Sequence, residues 1–336
     1  MKHPWFSRLH NRATRPYCLL VAVVLAFALL VGIEGFFSAR TLYSVLQHFA
    51  TVGLVALGLG LTMIMREFDL SVAGMVGLGG CVAVLCSGES VWLGVAAAML
   101  VGALGGVLQA QLINRLGLSS VAVSLGGLLT WMGLAYVLTG NKTIPFEHMD
   151  VAMAMNAPLL GVFSLRSLTV LVLFVLAACW MAVTRSGRDL VAAGGNRKAA
   201  LVAGVNPARL MTGVFAASGL LAALTGALLS YGLSSATPSG GSADILVAAI
   251  VAAILGGVSL SGGVGRPLGI AAGVLVLCVL RTGLTALGAA PFVHDVVTGL
   301  VLLIVAIIDG AHLRMRMYQL RQAMPWRSAL NSGDSL

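Results

Sequence analysis

Ten apolar stretches, each about the length that crosses a bilayer, leave this chain little choice of fold. A transmembrane helix needs about 20 consecutive, mainly apolar residues. Stretches of that kind run over residues 17–37, 42–64, 68–88, 91–111, 118–139, 166–184, 208–231, 244–262, 267–287 and 291–309. Hydrophobic residues make up 59% of the 336 and charged residues only 9%, with mean hydropathy +1.01. A soluble domain carries about 25% charged residues, and one as apolar as this would expose aggregating patches. In lipid every backbone polar group must be satisfied internally. A β-barrel would show alternating strands of about ten residues, and these runs do not alternate. The expected fold is an all-α, polytopic integral membrane protein of about ten transmembrane helices.

Two of the ten stretches are soft. Asp69 and several glycines and serines interrupt 68–88, and Ser119, Ser120, Ser124 and Thr130 make 118–139 polar enough for a broken or re-entrant segment. The first stretch follows Lys2, Arg8, Arg12 and Arg15, as a signal peptide would. Its apolar run exceeds the usual 7–15 residues and no A-x-A site follows, so it reads as an uncleaved span. Ten spans place both termini on one side. With the termini inside, sixteen of the 20 lysines and arginines fall inside, three outside, and Arg281 within a span. That bias predicts cytoplasmic termini. It also accounts for the net charge of +9 without nucleic acid. The domain expectation is a basic tail at 1–16, a transmembrane domain at 17–310 and a basic tail at 311–336. In the last, Arg314, Arg316, Arg321 and Arg327 would rest against anionic membrane lipid.

The five cysteines form no C-x-x-C pair and are odd in number, so they read as small buried hydrophobes rather than a disulfide or zinc framework. Gly102-x-x-x-Gly106 and Gly269-x-x-x-Gly273 have the spacing of close helix packing. No phosphate-binding loop, H-E-x-x-H pair or G-x-S-x-G elbow occurs. Neither an enzyme, a cofactor nor a metal is expected. Intramembrane charge is sparse. Glu34 and Asp309 lie at span ends, and Asp295 beside His294 begins the last span. Arg281 lies deeper, free to snorkel, to pair or to line a cavity.

Three segments stand apart. Residues 63–80, MIMREFDLSVAGMVGLGG, set Arg66, Glu67 and Asp69 between apolar stretches. Burying such charges costs roughly 2.5–3.5 kcal/mol each, so they belong at a surface or a polar cavity. Residues 185–207 form the longest internal loop, where Asn196 is placed to cap a short helix over about 197–203 that closes at Gly204. Residues 256–265, GGVSLSGGVG, make a sharp glycine-rich turn between spans eight and nine.

Together the three resemble the permease subunits of bacterial ABC importers for monosaccharides, the ribose, xylose and galactose group. That family carries G-[ILE]-D-[LV]-S-V-G, here Glu67, Phe68, Asp69, Leu70, Ser71, Val72 and Ala73. It carries A-x-G-G-N-x-x-A-A-x-x-x-G-[IV]-N, here residues 192–206, including Gly194, Gly195, Asn196, Arg197, Ala199, Ala200, Gly204, Val205 and Asn206. It carries G-G-x-S-L-S-G-G-x-G, here complete with Gly256, Gly257, Ser259, Ser261, Gly262, Gly263 and Gly265. The resemblance spans roughly residues 40–309. It implies a cytoplasmic ATPase subunit gripping the loop helix at 194–206, a second permease copy or paralogue, a periplasmic sugar-binding protein, and a place in the bacterial inner membrane. The chain departs from the pattern at Arg66, where a glycine is usual, at Ala73, and at Arg281, where asparagine is common. Arg281 meeting a carboxylate of a non-identical partner is one reading of that last change. A secondary carrier driven by an ion gradient is the alternative function, and a non-transporting membrane component a third. Candidate path residues are Gln47, Ser124 and Trp131, with Asp69 and Ser71 beside them.

Overall fold

A computed structural model describes residues 14–88, 90–240, 243–304 and 307. Both tails beyond these limits, the end of the last predicted span and Asp309 lie outside the described residues. Six helices are long and apolar enough to cross a membrane, and four further apolar helices are shorter. Each predicted stretch contains one of them.

The long helices are α3 (Ala39–Ile64), α5 (Val91–Leu116), α6 (Ser120–Thr139), α8 (Leu165–Val183), α11 (Pro207–Gly232) and α13 (Pro267–Ala286). The shorter ones are α1 (Arg15–Val31), α4 (Val72–Leu85), α12 (Ala243–Leu255) and α14 (Pro291–Ile304). Small helices fill the connections: α2 (Ile33–Phe36), α7 (Met149–Asn156), α9 (Arg185–Gly195) and α10 (Arg197–Val202). Gly32, at φ +90°, separates α1 from α2 and ends the first predicted span early.

Helix α11 is the hub, packed on α5, α4 and α3, while α3 also meets α12 and α13. Close approach explains the glycines. A Cβ on Gly106 of α5 would collide with the Phe215 carbonyl of α11, and one on Gly102 with the Gly219 carbonyl. The second glycine pair serves α13, where Gly269 and Gly273 lie against Gly256 and Ala252. Without a hydrophobic force between helices in lipid, such backbone contact is what holds them. The outer helices show large apolar side chains, among them Trp92, Leu129, Val137, Val175 and Leu176. That surface suits hydrocarbon and not water.

Two expectations need correction. The stretch at 118–139 is not broken: α6 is continuous, because Ser124, Thr130 and Thr139 return their hydroxyls to carbonyls of their own helix. Arg166, which opens the sixth predicted stretch, lies in the first turn of α8 and is buried, reaching Asn156 Oδ1 at 3.5 Å and Thr51 Oγ1 at 3.4 Å. Only Cys81 and Cys278 are buried; Cys18, Cys86 and Cys179 are exposed, and all five are free.

The far end of the bundle is closed by the 140–165 connection. Its strand β1 (Ile144–Pro145) pairs antiparallel with β2 (Ser235–Ala236), Ile144 opposite Ala236. Phe146 stacks on Tyr231 with ring centroids 4.4 Å apart.

Candidate functional site

The three sequence motifs, far apart along the chain, meet at one end of the bundle. Helix α3 stops at Ile64, and the chain turns through 65–71 before α4. The Gly263 N–H donates to the Ile64 carbonyl at 2.8 Å, which fastens the 256–266 loop to this turn. The elbow between α9 and α10 packs on the same point. Gly194 lies so close to the Ile64 carbonyl that no Cβ fits, and a Cβ on Gly263 would stand 2.5 Å from the Gly195 Cα. Gly262 faces Arg66, and Gly265 faces the Ile64 side chain. Gly256 abuts Gly269 and Ile270 at the start of α13, and Gly257, at φ +83°, lets α12 end.

The turn and loops are locally determined. Ser259 N–H donates to Val264 O at 3.0 Å, and Ser259 Oγ accepts from the Ser261 N–H at 3.3 Å, closing the glycine loop. Asn196 Oδ1 accepts from the Ala199 N–H at 3.0 Å and caps α10. Val205 N–H donates to Ala200 O at 3.0 Å, and Gly204 is left-handed at φ +81°, so α10 ends there as its sequence expects. Asn206 Oδ1 then caps α11 through the Arg209 N–H at 3.1 Å. The 185–195 stretch, which reads as loop in the sequence, is instead α9, an amphipathic helix capped by Thr184. Its glycines conceal it: Gly187 and Gly194 are present for close approach to Met181 and Ile64, not for bending.

Glu67 and Asp69 face opposite ways. Glu67 Oε1 lies 3.1 Å from Arg197 Nη1 of α10. Asp69 is fully buried. Its Oδ1 accepts from the Ser71 N–H at 3.1 Å and the Ser71 hydroxyl at 2.6 Å, and its Oδ2 from the Ser218 hydroxyl of α11 at 2.7 Å. Gln109 Nε2 of α5 donates to Ser71 Oγ at 2.6 Å. A buried carboxyl group is tolerated where such hydrogen-bond partners surround it. The turn is thereby pinned to α5 and α11 inside, and to α10 outside. Leu70 sits between Asp69 and Ser71 and is half-buried. Arg66, at φ +69°, holds a backbone conformation that favours glycine.

On α10, Leu201 and Val202 are 63% and 89% exposed. They are apolar side chains at a polar end of the bundle, and the described residues leave them uncovered.

At the opposite end, α3, α12, α13 and α14 enclose a cavity of about 460 Å³, within the roughly 300–1,000 Å³ range of small-molecule pockets. Its polar lining is His48, Thr51, Asp244, Arg281, His294, Asp295 and Thr298. No ion pair to Arg281 forms among the described residues. The His294 Nδ1 and both amide atoms of Gln47 are buried without a hydrogen-bond partner among the described residues.

Gln47 belongs to α3, beside this cavity's His48, but is not in its lining. Ser124 and Trp131 share α6, which packs on α4 and α5. Ser124 is buried and bonded to the Val121 carbonyl, while Trp131 lies against Gly74 and Gly105 and lines a separate cleft. The three path candidates are thus not gathered into one site. Sequence reasoning missed His48, Thr51 and Asp244, although His48 and Thr51 show the i, i+3 spacing of one helix face.

A bundle of membrane-crossing helices with a small-residue elbow at one end and a polar cavity at the other is the build of a membrane transport subunit. The chain belongs to the family described as the permease component of the branched-chain amino acid transport system, which it matches over residues 41–306. It is 31% identical to the ribose import permease protein RbsC of Escherichia coli K12 over 302 residues, 87% of this chain and 92% of that one. It is 32% identical over 293 residues to the L-arabinose transport system permease protein AraH of the same strain, covering 87% and 89%. With a probable ABC transporter permease protein, YphD, also from that strain, identity is 34% over 301 residues, covering 89% and 90%. No solved structure matches. The chain is therefore a transport permease and not an enzyme, and a multi-pass protein of the inner membrane.

Proposed function

We propose that this chain is one permease subunit of an ATP-driven importer that carries a monosaccharide or sugar-like molecule across the inner membrane. Its ATPase, its periplasmic binding protein and its second permease, a copy or a paralogue, would be separate chains. The observation that carries this reading is α10: a capped helix joined to the 65–71 turn by the Arg197–Glu67 pair and following directly on the α9 glycines that pack against Ile64 and Gly263, with Leu201 and Val202 exposed. Exposed apolar anchors on a short rigid helix fit a groove on a partner. The basic-residue bias supports a cytoplasmic position for this end, where ATP is.

ATP-driven movement of the ATPase would reach α10 first, then the 65–71 turn through Glu67 and Arg197, then α5 and α11 through Asp69, Ser71 and Ser218. Those helices would shift between outward- and inward-open arrangements. The cavity with His48, Arg281 and His294, on the periplasmic side in this orientation, would be part of the path. Its histidines, carboxylates and threonines offer the donors and acceptors that hydroxyl-rich molecules need. The ribose and arabinose permeases among the relatives support the sugar assignment. An ion-coupled carrier would load its ion on free buried carboxylates, whereas Asp69 is held by three donors.

The test is uptake by proteoliposomes holding this chain with its co-purified subunits and binding protein. Transport of labelled sugar that requires internal ATP is expected. Transport by the lone chain, driven by an ion gradient, would overturn the reading.

A further inference from the structure

We infer that the cleft between α1, α8, α9 and the start of α13 binds an anionic phospholipid. The cleft holds about 780 Å³. Residues at three helix ends line it: Tyr17 at the start of α1, Met181 and Ala182 at the end of α8, and Pro267 and Leu268 at the start of α13. Ends of membrane-crossing helices lie where headgroups meet acyl chains, so the cleft would straddle that boundary. Arg188 and Arg266 are in its lining and, among the described residues, no carboxylate is. The neighbouring Asp189 is engaged by Arg185 at 3.7 Å. Arg188 Nη1 donates to the Val183 carbonyl at 3.1 Å, and Arg266 has no ion pair among the described residues. A guanidinium has five N–H donors, so the pair retains ample capacity for a phosphate, to which arginine binds in a bidentate fashion.

The rest of the lining decides between a lipid and a soluble phosphate. Met181, Leu268 and the Tyr17 ring form an apolar wall continuous with the charged rim. A free phosphate has no use for it; an acyl chain does. Basic pockets between transmembrane helices are recurrent sites for anionic headgroups. Because Gly187 and Gly263 also belong to the lining, a bound lipid would bridge the α8–α9 corner to the glycine loop.

Native mass spectrometry of the full chain in mild detergent tests this, with phosphatidylglycerol and phosphatidylethanolamine offered in equal amounts. The wild type is expected to retain phosphatidylglycerol preferentially. The Arg188→Gln/Arg266→Gln variant should lose about thirtyfold in that preference, about fivefold per arginine, while Arg188→Lys/Arg266→Lys keeps most of it. Equal retention of both lipids by the wild type would overturn the site without any variant. So would a preference that survives the glutamine pair, or displacement of the lipid by millimolar glycerol phosphate, which would make soluble phosphate the ligand.

Discussion

Arg197 of α10 and Glu67 of the turn after α3 form an ion pair with 3.1 Å between Nη1 and Oε1, joining segments 130 residues apart. Arg197 is half exposed and Glu67 largely buried. With the arginine open to solvent, such a pair is worth about 1 kcal/mol or less, so its use is alignment. Reversing one charge, in Arg197→Glu, should leave the thermal midpoint nearly unchanged yet lower ATP-driven uptake. Pairing it with Glu67→Arg should restore part of the uptake. Uptake unaffected by the single reversal would show that the pair transmits nothing.

Gly194 and Gly195 are adjacent but not equivalent. A Cβ on Gly194 meets the Ile64 carbonyl, while one on Gly195 comes no closer than 4.0 Å to Gly263. Gly194→Ala should cost about 1–3 kcal/mol as overpacking does, and Gly195→Ala almost nothing. Thermal midpoints from fluorescence-detected size exclusion would compare them, and equal midpoints would contradict this packing.

Removing the Asp69 carboxylate strands the Ser71 N–H and two hydroxyls in the core. Each buried group left unpaired costs about 1–3 kcal/mol. Asp69→Ala should therefore yield little monodisperse protein. Asp69→Asn, which still accepts from Ser71, should be milder. The reverse order would count against the network.

Arg66 offers a gain. An L-residue in the left-handed region costs roughly 1–2 kcal/mol, partly offset in glycine by about 0.5–1 kcal/mol of extra chain entropy. Arg66→Gly should raise the thermal midpoint modestly, by up to about 1 kcal/mol of stability. A fall in midpoint would mean that the Arg66 side chain carries an interaction of its own.

In the cavity, Arg281→Glu adds a third carboxylate beside Asp244 and Asp295. If the cavity is on the path, sugar uptake should fall severalfold while co-purification with the ATPase persists. Normal uptake would remove the cavity from the path.

The bundle is legible in the sequence because spans announce themselves by length and hydropathy, and each predicted stretch holds a helix. Span ends are less visible. The stretch 244–262 overruns α12, which stops at Leu255, because the glycine turn beyond it is as apolar as the helix. Helix α9 is hidden because glycines that serve close packing look like loop residues. The motif residues are each found, but their meeting at Ile64 is not: that contact runs through backbone atoms, which no side-chain pattern reports. The cavity escapes because its polar residues come from four helices, each a minor exception within an apolar run.

The central claim, that α10 is where an ATPase docks, is tested most directly by a photo-crosslinking amino acid at Val202, activated in intact cells. The account expects one dominant adduct, with a subunit carrying a phosphate-binding loop, and no adduct with that subunit when the probe sits at Val137, exposed on the apolar flank of α6. Adducts with lipid alone, or none with an ATPase, would contradict it.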